Sequence, residues 1–171
     1  MYACLVRSAC LVLLMMLALG PAAADDSAMP EIEHATEPRD GWLIGGQPEP
    51  HHLVEARETG VRHVLNARGP DEFEDWDQRA LIESLGLEYH RIPIAGEADL
   101  DREAVEAFDQ ALERIGSEGA LMHCASGNRI GALFALREAW IQGEDTETAI
   151  DVGQAHGLTG LEATVRSLLA E

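Results

Sequence analysis

The sequence predicts an α/β fold, a mostly parallel sheet of four to five strands with helices on both faces. Three observations lead there. Short apolar or β-branched runs alternate with stretches whose apolar residues recur at helical spacing. Glycine closes most of the helical stretches. Strands that alternate with helices pair in parallel, and their crossovers lay helices on both sides of the sheet. The chain has 171 residues, 46% of them apolar, which fits one ordinary globular domain and neither a disulfide scaffold nor a disordered acidic tail.

The elements follow in order. Residues 1–24 carry Arg7, an apolar run from Ala9 to Gly20, then Pro21 and three alanines. This is the pattern of a secretory signal peptide cleaved after Ala24. The run is shorter than the roughly 20 residues a spanning helix needs, so the expected location is periplasmic or secreted, with no membrane attachment after cleavage. Residues 25–40 are polar, contain Pro30 and Pro38, and read as a flexible lead-in. A single domain is expected over 41–171.

Within that domain Trp42 to Gly45 is the first strand, and a helical stretch then runs to Gly60. Val61 to Asn66 is the second strand, with loop residues Ala67 to Glu72 after it. Trp76, Ala80, Leu81 and Leu85 predict a helix that Gly86 ends. Leu87 to Ile94 is the third strand, with Pro93 near its end. Asp101 is the N-cap of the next helix, flanked by the Leu100 and Val105 staple positions, and Phe108, Leu112 and Ile115 continue its apolar face. Ala120 to His123 is the fourth strand. A helix carrying Ile130, Leu133, Phe134, Trp140 and Ile141 follows and closes at Gly143, with two more near 146–155 and 160–170.

Charge and cysteine count narrow the function. Thirty-one acidic residues face twelve basic ones, a formal net charge of −19, which excludes a nucleic-acid binder working through a broad basic face. All twelve basic residues are arginine. A lysine-free acidic chain suits a saline setting, where salt screens self-repulsion. Cys4 and Cys10 fall in the leader, so the mature chain keeps Cys124 alone, and an internal disulfide is ruled out.

Ligands of such sheets bind beyond the carboxyl ends of the strands. Cys124 ends the fourth strand, and Ala125, Ser126, Gly127 and Asn128 lead to Arg129 where a helix starts. Small residues let successive N–H groups converge, and the helix N-terminus adds positive potential at the same point. Such an anion cradle, with the Arg129 cation, favours thiolate over thiol. Arg129 carries the planar fork that grips two phosphate oxygens. The plainer reading of Cys124 is a small buried hydrophobe at a strand end, and His123 is either a loop-ordering group or a hydrogen-bonded core residue.

HCASGNRIGA at 123–132 resembles the signature of the cysteine-dependent protein tyrosine phosphatase superfamily. GGQP at 45–48, VRHVLNAR at 61–68 and LGLEYHRIPIAG at 85–96 extend the likeness to the bacterial phosphatase-like domains of the beta-lactamase hydrolase-like family and related dual-specificity-like domains. The resemblance implies a phosphatase-like fold with Cys124 as nucleophile forming a phosphocysteine, Arg129 as phosphate clamp, and the amides of Ala125, Ser126, Gly127 and Asn128 as substrate cradle. It implies a phosphorylated substrate whose class it does not identify, and neither a cofactor nor a catalytic metal. A general acid is expected in the loop after the third strand. Asp101 is committed to capping, so Asp99 is the choice and Glu97 the reserve.

Two departures keep other functions open. Four residues separate Cys124 from Arg129 where well-studied phosphatases have five, and six-residue loops are what rhodanese-like sulfurtransferases use. Ile130 stands where Ser or Thr usually steadies the departing thiolate. The alternatives are thus a persulfide-carrying sulfurtransferase and a module that binds an oxyanion or phosphorylated ligand without turnover. His51 and His52 are adjacent and cannot share one helix face, so with one mature cysteine no zinc site is expected. Arg68 ends the second strand near Asp71 and Glu72 and reads either as an aid to substrate binding or, more plainly, as part of a surface ion pair.

Overall fold

The computed structural model describes residues 29–72 and 75–170. The leader, its cleavage site and the first part of the lead-in lie outside the described residues. Four strands, β1 (Trp42–Gly45), β2 (Val61–Arg68), β3 (Glu88–Ile94) and β4 (Gly119–His123), form one sheet in the order β1-β4-β2-β3, every pair parallel. Among the described residues six α-helices are interleaved: α1 (Pro50–Glu58), α2 (Gln78–Ser84), α3 (Arg102–Ile115), α4 (Asn128–Arg137), α5 (Thr146–Ala155) and α6 (Glu162–Leu169). A π-helical turn, Glu138–Gln142, prolongs α4 until Gly143 takes the left-handed conformation.

The side chains sort into two cores because successive strand residues point to opposite faces. On one face Ile44, Leu65, Ile92, Ile94 and Met122 pack against α3 and α4, with Phe108 meeting Phe134 edge-on at 4.9 Å. On the other, Leu43, Val64 and Leu121 pack against Leu53 of α1 and Ile82 of α2. Each fully buried side chain of this size contributes roughly 1.5–3 kcal/mol of transfer free energy. The expected staple is present, since Leu100 and Val105 are both buried and the Asp101 carboxylate accepts the Ala104 N–H at 2.9 Å.

Two expectations change. β2 continues two residues past Asn66, because β3 stays beside it and Arg68 pairs with Ile94 after a register shift. The described part of the lead-in is packed on the sheet edge: Ile32 is buried, and Thr36 and Ile44 exchange main-chain hydrogen bonds of 2.8 and 2.9 Å. An apolar residue between polar neighbours gives this segment its anchor, and its amides satisfy the otherwise unpaired edge of β1.

All four strands run the same way, so Gly45, Arg68, Ile94 and His123 end at one rim of the sheet. Register places His123 between Gly45 and Asn66. The loops that follow these four residues surround Cys124.

Candidate active site

Cys124 leaves β4 with its N–H donating to the Gly45 carbonyl at 3.3 Å and its side chain buried. Ala125 is exposed, and Ser126 pairs with Gly46 across the rim. Gly127 then takes φ +79°, a left-handed turn that L side chains disfavour, and α4 starts at the next residue. The N–H groups of the first turn of α4 therefore lie directly behind the loop without helical partners.

The Arg129 side chain folds back over this loop. The pKa of Arg129 is raised first by the Glu72 hydrogen bond and then, against desolvation, by the charge of nearby Cys124. Nη1 donates to a Glu72 oxygen, to the Ile94 carbonyl at 2.7 Å and to the Ala67 carbonyl at 3.3 Å, and Nη2 donates to the second Glu72 oxygen at 2.9 Å. Glu72 also accepts the Gly69 N–H at 2.6 Å and Arg68 Nε at 3.3 Å. The Arg129 hydrogen bond leads the causes that bring the Glu72 carboxyl from 4.5 down to about 2.

Glu72 is the residue that reading the sequence missed as part of the site. It lies in an ordinary polar loop, and its relation to Arg129 depends on β2 lying beside β4. The expected pairing of Arg68 with Glu72 forms, but not at the surface: the Arg68 side chain is 14% exposed and also donates to Gln47 Oε1 at 2.8 Å.

A buried polar chain supports the loop from the α1–α2 side. Asn66 Nδ2 donates to Gln78 Oε1 at 2.7 Å and to the Tyr89 hydroxyl at 3.1 Å, while Gln78 Nε2 donates to His123 Nε2 at 3.1 Å. That order puts the His123 proton on Nδ1. Burial pushes the His123 pKa down to about 3, with the Cys124 main chain pulling weakly the other way, so the ring is neutral. His123 is thus a core residue that steadies the loop root.

Beside Arg129 opens a cavity of about 270 Å³, walled by Ser126, Asn128 and Arg129 on one side and by Ile94, Glu97 and Leu161 on the other. The two acids of the β3–α3 loop part company here. Glu97 stands on the wall, its Oε1 accepting the Thr164 hydroxyl at 2.9 Å. Asp99, the acid first chosen, does not line this cavity: a short 3₁₀ turn over Glu97–Asp99 returns its Oδ2 to the Ala95 and Gly96 N–H groups at 2.7 and 3.1 Å. Asn128 lines the cavity, but its Oδ1 accepts the N–H groups of Thr159 and Leu161 at 2.8 and 3.3 Å. The arrangement can hold a tetrahedral anion between a fixed guanidinium and one carboxyl group, with Cys124 buried at the root of the adjoining loop.

No protein-family model matches the chain. A beta-lactamase hydrolase-like protein of Xylella fastidiosa is 30% identical over 120 residues, which is 67% of this chain and 27% of that protein. The chain thus spans about a quarter of the length of that relative. Dual specificity protein phosphatase 26 of Mus musculus is 30% identical over 145 residues, 80% of this chain and 66% of that protein. Among solved structures, a DUF442 protein of Shewanella putrefaciens has TM-score 0.61 at 22% identity, over 81% of this chain and 88% of that one. The last likeness is one of fold.

Proposed function

Because the chain belongs to the cysteine-based, tyrosine-phosphatase-like superfamily, we propose that it is an exported phosphatase hydrolysing phosphomonoesters through a phosphocysteine on Cys124. The observation that carries this reading is the Arg129 guanidinium, fixed by Glu72 and the Ile94 carbonyl on the wall of the cavity beside the loop that Cys124 opens. Glu72 and the two carbonyls occupy Nη1 and one Nη2 hydrogen. The Nε–H and the other Nη2–H then make the parallel pair that fits two phosphate oxygens. Main-chain N–H groups from 125–129 receive the remaining charge.

The Cys124 thiolate attacks phosphorus, and the S–P bond forms as the P–O bond to the alcohol breaks. The departing oxygen takes a proton from Glu97, the loop acid on the cavity wall. Water then attacks the phosphocysteine, Glu97 accepts a water proton, the S–P bond breaks and inorganic phosphate leaves. Ile130, fully buried, offers no hydroxyl to the departing sulfur, so this second step is the slow one and a burst of alcohol should precede steady turnover.

The four-residue spacing also fits persulfide carriage, so two assays run together. Hydrolysis of p-nitrophenyl phosphate with an initial burst, abolished in Cys124→Ser, supports the phosphatase. Thiocyanate formed from thiosulfate and cyanide, with no phosphate release, would overturn it in favour of sulfur transfer. Inactivity in both, with phosphate raising the melting temperature, would instead favour a binding module. Glu97→Gln should remove the acid-dependent limb of the pH–rate profile, whereas Asp99→Asn should leave it in place. Export is tested by the N-terminal sequence of the protein recovered outside the cytoplasm, expected to begin at Asp25.

A further inference from the structure

At the opposite end of the sheet, on the α3 face, two adjacent strands place imidazoles where the rest of that face carries Leu65, Ile92 and Ile94. His63 of β2 is in register with Glu88 of β3, and His90 follows two residues later, so the three share a face. His63 is buried and His90 half-buried. His63 Nδ1 lies 3.1 Å from His90 Nε2 and 3.6 Å from a Glu88 oxygen. The ligand atoms of all three lie within 4.8 Å of one another. Behind this group, His63 Nε2 is 2.7 Å from a Glu118 oxygen at the start of β4.

We propose that His63, Glu88 and His90 form a zinc site remote from Cys124, with Glu118 orienting His63 from behind. The distances suit the ion. Tetrahedral zinc with bonds near 2.0–2.1 Å sets its ligand atoms about 3.3 Å apart, and 3.1 and 3.6 Å lie on either side of that value. Glu118 accepts the Nε2–H of His63, which fixes the tautomer with its Nδ1 lone pair facing the site, the arrangement that ligating histidines use. Without metal, His90 Nε2–H donates to that lone pair. When zinc enters, His90 carries its proton on Nδ1 and offers Nε2, so no proton need be lost. Glu88 and Glu118 outweigh the nearby Arg114 in charge, which favours a dication, and water completes the coordination. The ion would tie edge strand β3 to β2 and to the root of β4. This inference is independent of the proposed phosphatase activity.

The test uses the full chain with Cys124→Ser, and with His51→Ala and His52→Ala, so that neither the thiol nor the surface histidine pair takes metal. Calorimetric titration with zinc chloride should give one ion per chain, zinc should raise the melting temperature, and cobalt(II) should show the intense visible bands of four-coordination. His63 is buried and its replacement endangers the fold, so the exposed side carries the test. His90→Gln and Glu88→Gln, shown by circular dichroism to be folded, should lose the cobalt spectrum and the thermal shift, and Glu118→Gln should weaken zinc about 10–100-fold. No stoichiometric zinc in the parent, or undiminished binding in His90→Gln, would overturn the proposal.

Discussion

Replacing Glu72 by Gln tests whether one carboxylate supports both stability and the geometry of the Arg129 guanidinium. Lowering a carboxyl from 4.5 to about 2, at about 1.4 kcal/mol for each tenfold change in proton affinity, corresponds to about 3 kcal/mol. The Glu72 side chain is 30% exposed, so solvent screening reduces this to about 2 kcal/mol. A folded-state pKa below the unfolded one stabilises fully above about pH 4.5, and this contribution is lost as pH falls toward 2. Urea unfolding at pH 7 should therefore show Glu72→Gln less stable by about 2 kcal/mol, and the gap to the parent should narrow steadily below pH 4.5. Arg129, released from its two-point contact, should lose alignment, and a misplacement of about 1 Å lowers kcat/KM on the order of 100-fold. A stability gap that stays constant down to pH 3, or an unchanged kcat/KM, would refute the assignment of Glu72 as the positioning partner of Arg129.

Three further outcomes are expected. Asn128→Ala leaves the N–H groups of Thr159 and Leu161 without their acceptor; it should lower stability by about 0.5–1.5 kcal/mol in denaturant titration and raise the KM for p-nitrophenyl phosphate. Gly131→Ala would put a Cβ 2.0 Å from the Leu158 nitrogen, a main-chain clash that cannot relax locally, so circular dichroism should show a protein that melts far below the parent or does not fold. His123 binds a proton in the folded state only near pH 3, against 6.5 for an ordinary imidazole. Stability should thus be complete above pH 6.5 and fall as pH drops from there toward 3, and His123→Gln should flatten that slope in pH-dependent chemical denaturation.

Local signals made the fold legible. Asp101, Gly60, Gly86 and Gly143 mark helix boundaries by their own chemistry, and the apolar strand runs needed no knowledge of their neighbours. The end of β2 was missed because Ala67 and Arg68 are strand only through pairing with β3. The same division applies to the site. Cys124 and Arg129 belong to one strand–loop–helix unit and could be read together. Glu72 could not, because the order β1-β4-β2-β3 brings its loop beside Arg129. The choice between Asp99 and Glu97 depended on a single turn of 3₁₀ helix, which spends Asp99 on its own loop amides. His63, Glu88 and His90 are unremarkable in sequence until strand register aligns them.

The contacts of Asn128 and Gly131 tie the cradle to the carboxy-terminal part of the chain. Asn128 binds the turn at 159–161, and Gly131 lets the main chain at Leu158 approach α4 more closely than any side chain would allow. The anion pocket is therefore braced from outside before a guest arrives, and little loop ordering accompanies binding. It follows that trimming the chain after Gly157, which takes Leu161 from the cavity wall and Thr164 from Glu97 together with this brace, should slacken phosphate recognition although Cys124 and Arg129 remain.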